Sequence, residues 1–127
     1  MAKHDLKGAV DFGHLERFAA FDAKVVDEVL GLFGEQAALW APMLNAEAEG
    51  WRDVLHTIKG ASCGVGAFAL GDACAYAEAT GASSLPRVHA ALNAALFDVV
   101  AYRHQQALEP LREEPLALDQ RIDPQTP

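Results

Sequence analysis

The amino-acid sequence predicts an all-α protein: an up-and-down antiparallel four-helix bundle with a short N-terminal helix. Of its 127 residues, 51% are hydrophobic but only 8% are aromatic, and the apolar residues are mainly alanine and leucine, a mixture that favours helices over strands. Apolar residues recur every three or four positions along most of the chain, as they do on one face of a helix. No segment shows the alternation that is typical of a strand.

The first half of the chain predicts a short helix and then a long one. Residues 1–11 carry little pattern, and we expect a loose lead-in there. The apolar spacing over 12–21 predicts a short amphipathic helix. Asp22 is the predicted N-cap of a long helix over 22–48. Pro42 interrupts that pattern, so we expect one bent helix or, as the alternative, a break near this residue.

The middle of the chain predicts two shorter helices, separated by glycines. Gly50 marks a turn, and a clear helical pattern follows over 51–65. Gly66 stands where a glycine often ends a helix. The next helix is expected over 67–80, and it stops at Gly81.

The last predicted helix spans 85–109, with Pro86 tolerated in its first turn. Prolines interleaved with charges follow from Pro110 onward. Such a composition cannot build a core, so we expect 110–127 to be a disordered tail. The bundle domain would then span 12–109.

Composition excludes several classes of function. The formal net charge of −8 and a pI near 4.9 describe an acidic surface that repels nucleic-acid phosphates and anionic lipid, and we expect a monomer. We find neither a signal peptide nor an apolar run long enough to span a membrane, so we expect a cytoplasmic protein. The two cysteines, Cys63 and Cys74, are too few for a disulfide scaffold. No Cys/His cluster has metal-ligand spacing, so we expect no metal site.

The predicted helix over 51–65 has two distinct faces on a helical wheel. Its core face gathers mostly apolar residues: Trp51, Val54, Leu55, Ile58, Ser62 and Val65. His56 lies roughly 160° from Ile58 and therefore projects outward. The residues that share its hemisphere are Arg52, Asp53, Lys59, Gly60, Cys63 and Gly64.

This outer face combines a nucleophile, a cation and two glycines. Imidazole is largely neutral and nucleophilic at pH 7, and a lysine acts as a point charge for phosphate oxygens. Gly60 and Gly64 each cost about 0.5–1 kcal/mol of helix stability relative to alanine, yet they do nothing for the core. Each feature has an ordinary explanation alone. Together they indicate a flat site that another surface can approach.

The segment His56-Thr57-Ile58-Lys59-Gly60, followed by Val65-Gly66-Ala67, Leu70 and Cys74, resembles the phosphorylation signature of the histidine-containing phosphotransfer domains. The resemblance covers about residues 10–109. It implies that His56 accepts a phosphoryl group on Nε2, that Lys59 contacts the phosphate and that Gly60 leaves room for it.

The resemblance also implies the partners: receiver domains of response regulators or of hybrid histidine kinases, which supply an aspartyl phosphate and a bound Mg²⁺. The chain itself would bind no cofactor and have no ATP-dependent kinase activity. It would act as a phosphorelay carrier rather than as a turnover enzyme. Arg52, Asp53, Cys63 and Gly64 are the candidate docking residues.

Two other functions stay open at this point. The bundle could be a docking module for a receiver or kinase domain that is never phosphorylated. It could also be a redox-responsive protein, if Cys63 and Cys74 form a reversible disulfide. Tyr76 and Glu78, on the following helix, either border the docking surface or are ordinary exposed side chains.

Overall fold

The computed structural model describes residues 8–125 of the chain and the side chains of residues 8–108. Every regular element within residues 8–125 is helical, which confirms the predicted fold class. The α-helices are α1 (Phe12–Phe18), α2 (Ala23–Trp40), α3 (Trp51–Val65), α4 (Phe68–Thr80) and α5 (Leu85–Gln125). Short 3₁₀ turns lie at Ala41–Met43 and Ala82–Ser84.

The five helices of the described residues all contribute to one hydrophobic core, because each presents apolar side chains to the same interior. The largest fully buried apolar side chains are Leu15, Leu30, Leu44, Leu55, Ile58, Leu70, Val88 and Leu92. α3 packs most extensively against α4, and α4 packs in turn against α5. Among the described residues, no helix is long and apolar enough to cross a membrane.

The short helix and the start of the long one follow local capping rules. The Asp22 carboxylate accepts hydrogen bonds from the backbone N–H groups of Lys24 and Val25 at 3.0 and 3.3 Å, which confirms it as an N-cap. α1 is shorter than predicted and ends at Phe18. The reason is the turn that follows, where Ala20 and Phe21 have φ of 56° and 61°, a left-handed conformation that a helix cannot include.

The long helix breaks at Pro42, so a single bent helix over 22–48 is wrong and the alternative of a break is right. α2 ends at Trp40, and the chain passes through the 3₁₀ turn that contains Pro42. Proline lacks the N–H that would continue the helix, and its ring clashes with the carbonyl one turn earlier. The Asn45 side-chain amide donates to the Pro42 carbonyl at 2.9 Å and closes the turn.

The end of the predicted lead-in is packed rather than loose. Val10 is buried, and the Ala9 backbone N–H donates to the Asp98 carboxylate. The Asp11 backbone N–H donates to the Gly66 carbonyl at 2.8 Å. These contacts join residues that are distant in sequence, so a local pattern could not reveal them. Residues 1–7 of the predicted lead-in lie outside the described residues.

The last helix continues beyond its predicted end at 109 and reaches Gln125. The disorder that the sequence predicts from Pro110 onward stays a prediction. The residues between the prolines are mainly leucine, glutamate, alanine and arginine, which have high helix propensity, and a proline can kink a helix without ending it. The division into a bundle over 12–109 and a tail stays a prediction.

Candidate functional site

α3 presents the two faces that its sequence predicts. Its inner residues Val54, Leu55, Ile58, Ser62 and Val65 are all buried. Ser62, the one polar member, donates its hydroxyl to the Ile58 carbonyl at 2.6 Å, so it carries no unpaired buried group. Only Trp51, at the first turn, is half-buried rather than buried. This packing fixes the rotation of α3 and therefore the direction of its outer face.

His56 stands in the middle of that outer face, and 79% of its side chain is exposed. Gly60 and Gly64 lie further along the same side, and a Cβ added at either would meet no atom within 4 Å. Arg52, Asp53 and Cys63 are exposed as well. The predicted site residues thus share one solvent-facing surface, on which the backbone at the two glycines is bare. We call this surface the His56 face.

Lys59 is oriented by a carboxylate from the neighbouring helix. Its Nζ donates to Glu78 Oε1 at 2.8 Å. The other oxygen, Oε2, lies 3.7 Å from Nδ1 of His56. The Glu78 side chain is only 27% exposed, so it stands between the two side chains rather than in open solvent. One carboxylate therefore faces both the candidate nucleophile and the candidate phosphate-binding cation.

From the sequence we predict Glu78 either at the border of the docking surface or as an ordinary exposed side chain, and we do not predict this pairing. The spacing of residues around the turn between α3 and α4 does indicate this pairing. α3 and α4 are joined by the tight turn at Gly66–Ala67, so residues at similar distances from it lie side by side. His56 precedes Gly66 by ten residues and Glu78 follows Ala67 by eleven. Tyr76, the other residue considered there, is exposed, and its ring lies under the Arg87 guanidinium at 4.3 Å.

The α4 side of His56 carries two cations beside the Glu78 carboxylate. The hydrogen bond from Lys59 to Glu78 is the main cause that raises the pKa of the Lys59 ammonium, so this group stays charged at neutral pH. Arg52 lies over the Trp51 ring, 4.4 Å from its centroid, and its Nη1 donates to the Glu78 carbonyl at 3.5 Å. Two positive charges therefore flank His56 on one side.

The side of α3 that faces away from α4 is apolar. A groove of about 420 Å³ runs between α1, α2 and α3, and Ala61, Gly64 and Val65 form its α3 wall. Phe18 and Leu32 line it and stay largely exposed, at 81% and 59%. A partner that covers the His56 face would meet charged side chains, Arg52, Lys59 and Glu78, on one flank and an apolar groove on the other.

The two cysteines lie in different environments. Cys63 is exposed on the His56 face, whereas Cys74 is buried in the core, and both are free. Burial raises the pKa of the Cys74 thiol to about 12, which suppresses the reactive thiolate at neutral pH. A redox function would need both thiols to react, so the burial of Cys74 argues against that function. Among the described residues, no three His, Cys, Asp or Glu side chains converge to hold a metal ion.

This arrangement suits attack by an imidazole on a group that a second macromolecule presents. The imidazole is open to solvent, a lysine ammonium stands one turn away, and the backbone at Gly60 leaves space for a tetrahedral anion. The chain is similar to a solved structure, the crystal structure of the histidine phosphotransferase ShpA from Caulobacter crescentus. The two are 57% identical with a TM-score of 0.76, over 82% of this chain and 99% of that one. Neither the family models nor the curated proteins gave a match.

Proposed function

The chain belongs to the histidine-containing phosphotransfer family, and we propose that it is a phosphorelay intermediate that carries its phosphoryl group on His56. It accepts the group from the aspartyl phosphate of one receiver domain and passes it to the aspartate of another. The observation that carries the proposal is the exposed imidazole of His56 beside the Lys59 ammonium, with no side chain over Gly60.

The chemistry follows from this geometry. The Nε2 lone pair of His56 attacks phosphorus in line with the bond to the aspartyl oxygen, and that bond breaks with its electron pair returning to the carboxylate. Lys59 provides positive charge for the phosphoryl oxygens. Arg52, Asp53, Cys63 and Gly64 contact the receiver around this centre. Mg²⁺ belongs to the receiver, and the chain acts as a carrier without ATP-dependent kinase activity.

The partners in this proposal are receiver domains of response regulators or of hybrid histidine kinases. Their identity and the direction of phosphoryl flow depend on which receivers meet the chain. The monomeric state, the cytoplasmic location and the lack of nucleic-acid, membrane and cofactor binding that we expect from the sequence stay predictions.

The test is transfer of label from phosphorylated receiver domains. The purified chain is mixed with Mg²⁺ and a panel of phosphorylated receivers from the same organism. We expect an acid-labile, alkali-stable label on the wild type and none on His56→Gln. His104→Gln is the matched control, because His104 is an exposed histidine on a different helix, α5, and this variant should be labelled like the wild type.

Two outcomes contradict the proposal. Label that persists on His56→Gln would place the phosphoryl group on another residue. A folded wild type that takes no label from any receiver, but still binds one, would instead favour the docking module that is never phosphorylated.

A further inference from the structure

We propose that Arg52 is a phosphoryl-binding residue, whose guanidinium pairs with the oxygens of the phosphoryl group once that group is on His56. The inference rests on the proposed function and goes beyond it, because Arg52 there only contacts the receiver. It starts from a difference between the two cations beside His56. The Lys59 ammonium is paired with a carboxylate, whereas the Arg52 guanidinium has no carboxylate partner among the described residues.

The balance of charge around His56 favours Arg52 as the ligand of an anion. Lys59 Nζ lies 2.8 Å from Glu78 Oε1, so this carboxylate offsets much of the charge of the ammonium. The chain has 18 Asp and Glu residues, yet within its described part no carboxylate oxygen lies within 4.0 Å of the Arg52 guanidinium. The uncompensated positive charge next to the ring is therefore that of Arg52. A phosphoryl group brings negative charge and three acceptor oxygens to this place.

The guanidinium lies within reach of a phosphoryl group on the ring. Arg52 precedes His56 by four residues on α3, so the two side chains are neighbours on one face of the helix. Because side chains of a helix lean toward its N-terminus, we expect the ring to lean over the turn that carries Arg52. Glu78 also contacts both residues: its carbonyl accepts from Arg52 Nη1 at 3.5 Å, and its carboxylate lies 3.7 Å from Nδ1 of His56.

The contacts that hold Arg52 in the unphosphorylated protein are easily exchanged. Its hydrogen bond to the Glu78 carbonyl, at 3.5 Å, is long and therefore weak. Its guanidinium lies 4.4 Å from the centroid of the Trp51 ring, and this cation–π contact leaves N–H donors available. A guanidinium can present two parallel N–H groups to two phosphoryl oxygens, a geometry that a lysine ammonium does not offer.

Arg52 in this role changes how far phosphoryl transfer proceeds. The bonds that form and break are those of the proposed function: Nε2 of His56 bonds to phosphorus while the bond to the aspartyl oxygen breaks. Arg52 takes part in neither bond, and it gains its partner only when the phosphoryl group has arrived. It therefore stabilises the phosphorylated chain relative to the phosphorylated receiver.

The experiment compares Arg52→Gln and Arg52→Lys with the wild type. Arg87→Gln is the matched control, because Arg87 is also exposed and also lies over an aromatic ring, that of Tyr76 at 4.3 Å, but on α5. Each protein is phosphorylated by a receiver and, separately, by phosphoramidate, which passes its phosphoryl group to an imidazole nitrogen and releases ammonia. The small donor needs no docking surface, so it separates binding of the phosphoryl group from contact with the receiver.

Two readouts test the role of Arg52. The ³¹P resonance of phospho-His56 is the one that His56→Gln lacks, and its titration gives the pKa of the phosphoryl group. This pKa should rise in Arg52→Gln, because the positive charge that favours the more highly charged phosphoryl form is lost. The equilibrium constant for transfer from the receiver should fall about 2- to 5-fold, the range for a charged pair at an exposed site.

The other variants should differ in a graded way. Arg52→Lys keeps the charge but loses the planar pair of donors, so its phosphoryl pKa and its equilibrium constant should lie between those of the wild type and Arg52→Gln. Arg87→Gln should match the wild type in both quantities.

The outcomes are distinguishable. A phosphoryl pKa that is equal in the wild type and Arg52→Gln overturns this inference alone, even if the receiver transfers less well, since that loss would then reflect docking. An equal rise in Arg87→Gln also overturns it, because the effect would be one of overall charge. A folded wild type that phosphoramidate labels but no receiver does contradicts the proposed function. Absence of phospho-His56 with either donor overturns both.

Discussion

At the scale of single residues, the structure of α3 itself does not explain its two outward-facing glycines. Gly60 and Gly64 lie within a helix, where glycine is unfavourable, and the space beside each is empty. Neither φ angle is positive, so the backbone does not require glycine at these positions. If the proposed function holds, a bare backbone at these positions would let a receiver domain approach the His56 face closely.

Gly60→Ala should therefore make the protein more stable and less active. We expect the free energy of unfolding to rise by about 0.5–1 kcal/mol, because alanine loses less backbone entropy in a helix. Transfer from the receiver should slow several-fold, since the new methyl group occupies space next to His56. Urea denaturation and single-turnover transfer measure the two effects.

Gly34→Ala is the control for this pair of effects. Gly34 lies within α2, and a Cβ there would also meet no atom within 4 Å. The variant should gain similar stability and transfer at the wild-type rate. If Gly60→Ala transfers at the wild-type rate as well, the partner does not pack over Gly60.

At the scale of elements, the turn between α3 and α4 sets the register of the site. Gly66 has a φ of 90°, and the Ser62 carbonyl accepts from the N–H groups of Gly66 and Ala67 at 3.0 and 2.8 Å. The Gly66 carbonyl in turn accepts from the Asp11 N–H, which joins the segment before α1 to this turn. The closeness of Glu78 to His56 depends on this register, because the two residues lie on different helices.

Gly66→Ala should strongly destabilise the protein. A left-handed conformation costs a non-glycine residue about 1–2 kcal/mol, and the added Cβ would also collide with the Asp11 backbone carbonyl. We expect a loss of free energy of unfolding beyond that conformational cost, measured by urea denaturation. Gly64→Ala, two residues earlier and in open space, is the comparison that should not lose stability. Equal stabilities of the two variants would contradict this account of the turn.

At the scale of the whole molecule, the buried residues of the described core end before the proline-rich segment begins. Val99 is the last buried residue of α5 among the described side chains. Just beyond it, Tyr102 stacks on Phe12 with ring centroids 4.1 Å apart. Arg103 then pairs with Asp27 of α2 at 2.8 Å. These contacts tie α5 to α1 and α2.

Removal of residues 110–127 should therefore leave the bundle intact. We expect the free energy of unfolding to change by less than about 1 kcal/mol, and label transfer to His56 to be retained, because no described core contact is lost. A chain that ends at Val99 is the contrast: it lacks Tyr102 and Arg103 and should unfold more easily. Thermal unfolding monitored by circular dichroism compares the two. A large loss in the longer chain would show that the segment after 109 belongs to the folded domain.

Local chemistry in the sequence determined much of this protein: the helical class, the Asp22 cap, the bounds of α3 and the outward direction of His56, Lys59 and Gly60. Helical periodicity and glycine caps act over a few residues, so they can be read without the fold. The tertiary structure alone decided the packing of Val10 and the meeting of Glu78 with Lys59 and His56. The break at Pro42 and the extent of α5 follow from local chemistry, for which the sequence left more than one outcome open. Contacts such as Glu78 with Lys59, or Ala9 with Asp98, join residues that are far apart in the chain, and only the packing of the helices brings them within reach.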